Sequence, residues 1–524
     1  MRTFNDYTFL LFISLLSVCF YACKSDKKEV EITPAKPNIL FIPVDDLRPE
    51  LGCYGNTIIK TPNIDKLAKQ GVTFNRTYCQ QAVCNPSRAS LLTGLRPDTL
   101  KVWDLNQEFR NTLPDVVTLP QFFKENGYTS IGLGKTYHNS GTDSLSWTEK
   151  ILLKEFPFDP DAVYAGEENL AIQNAKIEKM KVAGKSPDPF GYYYTKAHST
   201  ENVDVDDDAY FDGAQTTRAI KTLQKLKANN RPFFLSVGYY RPHLPFNAPK
   251  KYWDLYDRDS IPLAENQYIP EGSPAYSVHG DQELRWYTGS EDLPFPADEP
   301  WPESRQREMK HGYYASVSYI DAQVGRLMAE LERLGLAENT IIVLWGDHGW
   351  KLGDHNSWGK MSNYEIDTRV PLIISGTNVK SKGAMSNALT EFVDIYPTLC
   401  EMTGFSVPEH LQGTSLTPLL KNPDKEWKTA AFSQYLLGRF APEDGDHTER
   451  MGYTIRTDQY RYVEWYLWNK DDQVRGELIG RELFDHFIDP QENKNLALEA
   501  EYSKTVELLS QQLESGWKNS KPTN

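Results

Sequence analysis

The stretch Asn38-Ile39-Leu40-Phe41-Ile42-Pro43-Val44 has the length of a strand and is apolar from Ile39 onward, and Asp45-Asp46 follows it directly. A strand buried on both faces of a parallel sheet has this composition, because helices cover both of its surfaces. Ligands gather at the carboxyl ends of such strands. We therefore predict a buried parallel strand here, with the two aspartates at the edge of a functional site.

Strand-like and helix-like segments alternate along the rest of the chain. Apolar runs predict strands over residues 128–133, 233–238, 340–345 and 371–375, and helical patterns cover residues 61–70, 118–126, 212–228 and 313–334. This alternation predicts an α/β fold with a large, mostly parallel sheet covered by helices. Because Lys135, His243 and Asp347 each follow a predicted strand, we expect them to share one edge of the sheet with the aspartates.

Two stretches and the C-terminal region depart from the alternation. Residues 152–212, which include Tyr192-Tyr193-Tyr194, and residues 264–305 are interpreted as long loops that shape a cleft. After residue 430, hairpin-like strands at 453–457, 460–466 and 482–485 precede a helical segment at 496–517. The predicted organisation is a main α/β domain over residues 37–430 and a small antiparallel α+β subdomain over residues 431–524.

Composition and charge limit the possible partners. The 524 residues are enough for one large and one small domain, and 40% hydrophobic and 25% charged residues are ordinary for a soluble globular protein. The net charge of −15 disfavours nucleic acid or an anionic membrane surface as a partner. If the substrate is anionic, its attraction must be local, from Arg88, Lys135, Lys360 and a cation.

The N-terminus predicts export. Arg2 precedes an apolar run over residues 9–20, which is too short to span a bilayer and has the length of a signal-peptide core. Ala22-Cys23 is similar to a bacterial lipobox, so we predict a signal peptide over residues 1–22 and a lipid anchor on Cys23 at the bacterial membrane. Residues 24–36 would form a flexible tether. The alternative is plain signal cleavage near Ala22, without an anchor.

Residues 84–94 read Cys-Asn-Pro-Ser-Arg-Ala-Ser-Leu-Leu-Thr-Gly and predict a cysteine at a helix N-terminus. The helix dipole and the charge of Arg88, one turn further on, make this position suitable for an anion. A buried structural cysteine is the alternative. No zinc-ligand spacing links Cys84 with the other cysteines, and Cys53 and Cys79 are more simply buried free thiols than a pair.

A metal site is predicted from the acidic residues at strand ends. Asp45 and Asp46 follow one strand and Asp347 follows another, so three carboxylates would converge and repel one another without a divalent cation. Calcium fits this oxygen-rich set best, and His348 would be an unusual ligand for it. The alternative for each motif alone is a turn or a helix cap.

Taken together, these motifs resemble the signature of the type I sulfatases. The cysteine motif and the stretches containing Asp45, Lys135, His243, Asp347 and Lys360 occur in that family's order, from about residue 37 to about residue 496. Within the family, the chain looks most similar to the iduronate-2-sulfatase branch. The stretches that carry this similarity are Asp46-Leu47-Arg48-Pro49, Leu51-Gly52-Cys53-Tyr54-Gly55, Gln81-Ala82-Val83-Cys84 and Tyr314-Ala315-Ser316-Val317-Ser318-Tyr319.

The resemblance implies an alkaline-phosphatase-like sandwich with a small C-terminal antiparallel sheet. It implies that Cys84 is oxidised to Cα-formylglycine (3-oxoalanine) by a formylglycine-generating enzyme or an anaerobic sulfatase-maturating enzyme. It also implies one Ca²⁺ ion, held by the residues Asp45, Asp46, Cys84 as formylglycine, Asp347 and His348.

The resemblance assigns catalytic roles as well. The hydrated aldehyde at Cys84 attacks sulfur, with Arg88 holding the attacking oxygen, while Lys135 and Lys360 neutralise the sulfate oxygens. His243 protonates the leaving sugar oxygen, and His138 removes a proton from the second hydroxyl so that sulfate is expelled. A serine ester of sulfate would lack that second hydroxyl and would be trapped.

The expected substrate is a sulfate ester of an acidic or sulfated polysaccharide or oligosaccharide. A 2-O-sulfated uronic acid is one candidate, within a glycosaminoglycan or an algal polysaccharide such as ulvan, with Trp103, Trp350 and Arg369 as a possible sugar subsite. One alternative is a phosphonate or phosphodiester hydrolase of the same superfamily. Another is a surface glycan-binding protein without catalytic activity.

Overall fold

A computed structural model describes residues 36–138, 143–149, 163–184, 196–278, 281–438 and 448–522. The predicted signal peptide, the lipobox and nearly all of the tether lie outside these residues, as does Tyr192-Tyr193-Tyr194. Residues Pro37–Asn524 form one compact unit. Within the described part of the chain, no helix combines the length and the hydropathy that crossing a bilayer requires.

The chain folds around a seven-stranded sheet, whose strands are β1 (Asn38–Val44), β2 (Gly71–Tyr78), β3 (Thr129–Gly134), β5 (Phe233–Gly238), β7 (Thr340–Gly346), β8 (Arg369–Gly376) and β9 (Ala384–Glu391). Their order in the sheet is β3-β5-β1-β7-β8-β2-β9. The pairs β3–β5, β5–β1, β1–β7 and β2–β9 are parallel, and β8 is antiparallel to both β7 and β2. The predicted mostly parallel sheet is therefore confirmed.

Two hydrophobic cores cover the two faces of this sheet. Along β1, Leu40, Ile42 and Val44 belong to one core, whereas Ile39 and Phe41 belong to the other. All seven residues of β1 are buried, which explains why its sequence is apolar from Ile39 to Val44 instead of alternating.

The α-helices that the structure describes pack mainly around this sheet. They are α1 (Pro62–Gln70), α2 (Cys84–Thr93), α3 (Pro97–Leu100), α4 (Phe109–Thr112), α5 (Leu119–Glu125), α6 (Glu167–Val182), α7 (Phe211–Asn229), α8 (Lys250–Trp253), α9 (Gln282–Arg285), α10 (Glu303–Arg333), α11 (Glu365–Thr368), α12 (Ile395–Met402), α13 (Thr417–Lys421) and α14 (Ser503–Ser515). Helices α1, α7 and α10 contribute to the first core, and α2, α5 and α12 to the second. The arrangement is a three-layer α/β/α sandwich.

A smaller four-stranded antiparallel sheet follows in the sequence. It has the order β10 (Ala431–Leu437), β11 (Arg450–Arg456), β12 (Tyr460–Asn469) and β13 (Val474–Asp485). The C-terminal helix α14 packs on it through Leu509. This sheet agrees with the predicted antiparallel C-terminal part, while the domain boundary at residues 430 and 431 stays a prediction.

The interpretation of residues 152–212 as one long loop is wrong for its described parts. Helix α6 occupies residues 167–182, and β4 (Thr200–Val203) pairs in parallel with β6 (Phe246–Pro249). The apolar pattern of α6 is weak because, within this helix, only Asn169 and Gln173 are buried, so the sequence lacks the stripe that marks most surface helices. Helix α10 also begins ten residues earlier than predicted, at Glu303.

Candidate active site

The carboxyl ends of five strands bring the predicted residues to one edge of the large sheet. Asp45 follows β1, Lys135 follows β3, His243 lies five residues beyond β5, and Asp347 follows β7. Strand β2 runs in the same direction as these strands because β8, between β2 and β7, is antiparallel to both. The end of β2 therefore leads at the same edge into α2, whose first residue is Cys84.

Arg88 forms hydrogen bonds with residues at the ends of three strands. The guanidinium is fully buried, and its Nε donates to Asp347 Oδ2 at 2.8 Å while Nη2 donates to Asp45 Oδ1 at 3.0 Å. Nη1 donates to the backbone carbonyls of Lys135 and Thr136. Although burial opposes the charge, Asp347 and Asp45 raise the pKa of Arg88 above its ordinary value.

Three buried carboxylates surround this arginine. The backbone N–H of Asp46 donates to Asp347 Oδ1 at 3.0 Å, and Asp46 has a left-handed backbone with φ of 58°. Burial raises the pKa of Asp46, with a further contribution from Asp45. The pKa of Asp45 is instead lowered, because Lys135 and Arg88 outweigh the effect of burial. Among the described residues, Asp46 Oδ2 is a buried oxygen without a hydrogen-bond partner.

Cys84 lies at the centre of the cluster and is 2% exposed. Its Sγ is 3.2 Å from His348 Nε2, 3.2 Å from Lys360 Nζ and 3.8 Å from Lys135 Nζ. Burial raises the pKa of the Cys84 thiol to about 11, with Asp45 adding to the effect of burial. A cysteine that acts as a thiolate nucleophile needs a lowered pKa, so the unmodified side chain is poorly suited to that role.

The two lysines supply local positive charge in a chain of net charge −15. Lys135 Nζ donates to Asp45 Oδ2, and Lys360 Nζ donates to Asp46 Oδ1 at 2.7 Å. Both side chains are about 4% exposed. With Arg88, they make the surroundings of Cys84 an anion site despite the acidic composition of the protein.

Two further histidines lie at the site. His138 Nδ1 has no hydrogen-bond partner among the described residues, and burial together with Lys135 lowers the pKa of this ring. His243 Nδ1 donates to the Leu244 carbonyl at 2.7 Å, and one of its ring nitrogens lies within 4.8 Å of Cys84 Sγ and of carboxylate oxygens of Asp45 and Asp46. Burial lowers the pKa of His243 to about 3, while Glu283 acts in the opposite direction.

Comparison with known families agrees with this geometry. The family described as Sulfatase matches residues 37–405, and the family described as N-sulphoglucosamine sulphohydrolase, C-terminal, matches residues 353–519. The chain belongs to the sulfatase family. The predicted family and the predicted enzyme class, a sulfuric ester hydrolase, are therefore confirmed.

The sulfatase is similar to individual proteins of different named activities. It is 33% identical to human iduronate 2-sulfatase, over 95% of this chain and 98% of the relative. It is 30% identical to an ulvan-active sulfatase of Formosa agariphila, over 93% of this chain and 83% of the relative. A phosphonate monoester hydrolase from Silicibacter pomeroyi superposes with a TM-score of 0.70 at 21% identity, covering 93% of this chain and 96% of that one. This last likeness shows the fold alone, which is alkaline-phosphatase-like as predicted.

The acidic cluster of the sulfatase fits a calcium ion. Asp45, Cys84, Asp347 and His348 each offer a ligand atom within 4.8 Å of the others. The oxygen-rich set and the unpartnered Asp46 Oδ2 suit a hard cation that would satisfy this oxygen. A second group of possible ligands, Glu365, His486 and Glu492, belongs instead to a salt-bridge network. Arg456 and Arg461 bind Glu365, Arg461 also binds Glu492, and His486 Nε2 lies 2.9 Å from Glu492 Oε1.

Two residues of the sulfatase site, Asp281 and Glu283, come from residues 264–305 and were not predicted from the sequence. Asp281 accepts hydrogen bonds from Ser357 Oγ at 2.7 Å and from the Trp358 backbone at 2.8 Å, so it holds the loop that carries Lys360. Glu283 Oε1 lies 3.4 Å from His243 Nε2. The expectation that this stretch shapes the cleft was the available signal, but it could not select these two residues.

The possible sugar subsite is wrong for two of its three residues. Trp103 is 2% exposed and its indole donates to Asp98 Oδ1, and Trp350 is 1% exposed. Both belong to the packed interior. Arg369 is partly exposed but its guanidinium is engaged with the backbone carbonyl and the side chain of Asn75.

Proposed function

We propose that this sulfatase hydrolyses sulfate esters of a sulfated carbohydrate, with Cys84 as formylglycine and one calcium ion at the acidic cluster. The observation that supports this most is the position of Cys84 Sγ, within 3.8 Å of Lys135, Lys360 and His348 at the edge where three carboxylates meet. The names of the relatives support a sugar substrate, because they include an iduronate 2-sulfatase and an ulvan-active sulfatase.

The proposed groups supply what the unmodified chain lacks. Calcium, when bound by Asp45, Asp46, Asp347 and His348, would favour the deprotonated form of an oxygen at position 84. Formylglycine arises from Cys84 by a two-electron oxidation at Cβ with loss of sulfur as sulfide, for which the maturation enzyme supplies the oxidant.

The side chains of the protein then bind and exchange protons. Lys135 and Lys360 hold the sulfate oxygens and compensate their charge, which is worth most in a buried site. Arg88 keeps Asp45 and Asp347 in place through its two carboxylate contacts. His243 donates a proton to the sugar oxygen as the S–O bond breaks, and His138 accepts one when sulfate is released.

A first experiment tests the modification and the reaction together. The protein is produced with a maturation enzyme, and the peptide containing Cys84 is analysed by mass spectrometry for replacement of the thiol by an aldehyde. Desulfation is then measured on a panel that includes a 2-O-sulfated uronate disaccharide and sulfated ulvan oligosaccharides, with Cys84→Ala as the inactive control. An unmodified Cys84 and no sulfate release from any panel member would refute the proposal.

Phosphonate or phosphodiester hydrolysis is the competing activity. The fold likeness to a phosphonate monoester hydrolase is at 21% identity, whereas the relatives at 30% or more are sulfatases. We expect an aryl sulfate to be hydrolysed with a higher kcat/KM than the matched aryl phosphonate. The glycan-binding alternative predicts binding of sulfated oligosaccharides without release of sulfate.

Export and anchoring form a separate part of the proposal, which depends on residues 1–23 alone. We expect the protein in the membrane fraction with a lipid on Cys23, and Cys23→Ala in the soluble exported fraction. Recovery of wild-type protein without lipid would leave plain signal cleavage as the explanation.

A further inference from the structure

A second cavity lies at the same edge of the large sheet as the active site. It has a volume of about 440 Å³ and is lined by the loops after β1 and β7, by residues around the start of β8, by Asn266, and by residues 490–492. This volume falls within the range of small-molecule binding sites. Among the described residues, none of those proposed above to bind calcium or to act on sulfate lines it. The cavity is therefore separate from the catalytic site.

The charged side chains of this cavity neutralise one another. Each carboxylate that lines it among the described residues lies within 3.2 Å of an arginine nitrogen: Glu50 and Asp354 of Arg48, and Glu365 and Glu492 of Arg461. An anionic ligand would lie against these four carboxylates, and a cation would find each of them already paired. The cavity therefore favours a ligand without net charge.

Two polar side chains of the lining have hydrogen-bonding capacity that the described residues do not use. Asn266 is 5% exposed, and its side-chain amide makes no hydrogen bond with a described residue. The backbone N–H of His355 donates to the Asn266 carbonyl at 2.9 Å, which fixes this asparagine in the cavity wall. Arg369 uses Nε and Nη2 on Asn75, and its Nη1 has no partner within the part of the chain that the structure describes. Because buried polar groups are normally hydrogen-bonded, these groups indicate a polar ligand.

Aromatic surface accompanies these polar groups. Tyr54 lines the cavity, and its hydroxyl is already bonded to the backbone of β2 and β8, so the ring is what it offers to a ligand. Tyr268 and Phe487 are 49% and 65% exposed and lie on the two chain segments that carry Asn266 and Gln491. Backbone hydrogen bonds join these two segments. A sugar ring combines hydroxyl groups with an apolar face, so it can use both kinds of surface.

We propose that this cavity is an accessory carbohydrate-binding site that takes an uncharged sugar unit of a polysaccharide, away from the sulfate ester that reacts at Cys84. The Asn266 amide and Arg369 Nη1 bind its hydroxyl groups, and the Tyr54 ring contacts its apolar face. Binding of a polymer here raises the concentration of its other units near the active site. The inference goes beyond the proposed function and concerns binding alone, so its test does not require sulfate release.

The test measures binding of small sugars to the full chain carrying Cys84→Ala, which cannot turn over a sulfate ester. The probes are the neutral sugars galactose, xylose and rhamnose, with glucuronate as the charged comparison, and binding is followed by ligand-observed NMR. Inorganic sulfate is present to occupy the anion site around Lys135 and Lys360. At least one neutral sugar should bind with a Kd at least about tenfold lower than that of glucuronate, because an anion meets the carboxylates of the cavity.

Variants of the lining locate the bound sugar. Asn266→Ala should raise the Kd of that sugar at least about tenfold, because a hydrogen bond from a buried amide to the ligand is lost. Gln491 is exposed at the rim, so Gln491→Ala tests the same cavity without disturbing the interior, and it should raise the Kd about threefold. Asn422→Ala changes an exposed asparagine outside the cavity and should leave the Kd unchanged. The Tm of each variant shows whether it is folded.

Three results would overturn the inference. They are the absence of binding by every neutral sugar, a Kd that is unchanged in both Asn266→Ala and Gln491→Ala, and displacement of the neutral sugar by inorganic sulfate, which would locate it in the active site. Failure of the proposed function is seen separately, as the absence of sulfate release by the matured wild-type enzyme from every ester of the panel.

Discussion

Every nitrogen of the Arg88 guanidinium has a partner in the active site, and those partners come from the ends of β1, β3 and β7. Two are carboxylates and two are backbone carbonyls. The planar guanidinium has N–H donors that point in several directions, so it can reach all four acceptors. A single lysine ammonium group cannot. Arg88 therefore acts as a structural centre for the site as well as a source of positive charge.

We predict that Arg88→Lys loses at least about a hundredfold in kcat and destabilises the fold by about 3 kcal/mol, because it leaves buried carboxylates with an incomplete partner. Activity assays and denaturant titration would measure the two effects. Arg76→Lys is the control, since Arg76 pairs at 2.7 Å with Asp458, which is 73% exposed. Retention of wild-type activity in Arg88→Lys would contradict the role assigned to the guanidinium.

We predict that Asp46 is a ligand of the metal ion. Because its Oδ2 has no partner among the described residues, a bound cation should be most sensitive to loss of this carboxylate. Chelation should lower the Tm of the wild-type protein and calcium should restore it, whereas Asp46→Asn should show a much smaller calcium-dependent shift in Tm. Identical shifts in both proteins would exclude Asp46 as a ligand.

At the scale of the elements, the turn after β3 shows how closely the strand ends approach one another. Gly134 has φ of 66°, and a Cβ at this position would lie 2.2 Å from the Gln215 side chain and from the Gly238 carbonyl. The next residue is Lys135, so any shift that relieves this contact moves the lysine. The glycine is thus required both by its backbone conformation and by the space available.

Gly134→Ala should therefore lower activity by more than the strain of a positive φ alone can explain. Gly127→Ala is the matched control, because Gly127 has φ of 89° and nothing lies within 4 Å of the point that an alanine Cβ would occupy there. Both variants should lose about 1 kcal/mol from backbone strain, and Gly134→Ala should lose more as well as most of its activity. Comparable losses of stability and activity in the two variants would argue against a close approach at Gly134.

The start of helix α1 depends on a carboxylate from another helix. Asp321 of α10 accepts from the backbone N–H groups of Asn63 at 3.0 Å and Ile64 at 2.7 Å. Burial raises the pKa of Asp321 to about 6, and these hydrogen bonds only partly oppose the effect of burial. The folded state therefore binds a proton here more strongly than the unfolded chain does.

The sign of the resulting pH dependence follows from the raised pKa. The contribution of Asp321 to stability is fully present below about pH 4 and is lost as the pH rises through about 6. Relative to Asp321→Asn, the wild-type protein should lose up to about 3 kcal/mol of unfolding free energy over this interval. Unfolding curves at several pH values for both proteins would measure the difference, and a constant difference would contradict the assignment.

Sequence patterns located some elements accurately and missed others for identifiable reasons. Strands β1 and β5 are mainly apolar and buried along their whole length, and their bounds agree with the prediction. Strand β2 was missed because Gly71-Val72-Thr73-Phe74-Asn75-Arg76-Thr77-Tyr78 mixes polar and apolar residues without regular alternation. The antiparallel direction of β8 could not be predicted either, because the amino-acid composition of a strand does not indicate its direction in the sheet.

At the scale of the whole molecule, a buried charge network joins the small sheet to the large one. Arg461 of β12 donates to Glu492 Oε1 at 2.6 Å and to Glu365 Oε2 at 2.7 Å, and Glu365 lies just before β8. Arg456 of β11 also donates to Glu365, at 3.1 Å. The network links residues that are far apart in the sequence within the compact unit Pro37–Asn524.

We predict that Arg461→Met destabilises the whole unit by about 3 to 5 kcal/mol, because Glu492 and Glu365 lose a buried partner. Thermal unfolding of wild-type and variant should each show one transition for the unit, at a lower temperature in the variant. Arg475→Met serves as the control, because the Arg475–Glu514 pair is 40% and 64% exposed. A variant in which the small sheet melts separately would show that the two sheets are not one cooperative unit.

The site was predictable where it follows the sheet and unpredictable where it depends on loops. Asp45, Lys135, His243 and Asp347 follow recognisable strands, so their convergence could be expected from topology. Glu283 and Lys196 are 87 residues apart in segments without a regular pattern. Their pairing is a result of tertiary packing, which a single sequence does not record.

The burial of Cys84 has a consequence for the order of events during biosynthesis. An oxidising enzyme must bind the thiol and the backbone around it. In the folded state, however, the Cys84 side chain is 2% exposed and is covered by Lys135 and Lys360. The proposed conversion therefore belongs to the interval in which the polypeptide is still being synthesised or exported. Cys84 can therefore be oxidised only before the chain folds. A chain that folds with an unmodified Cys84 would stay inactive, even if maturation enzyme were added later.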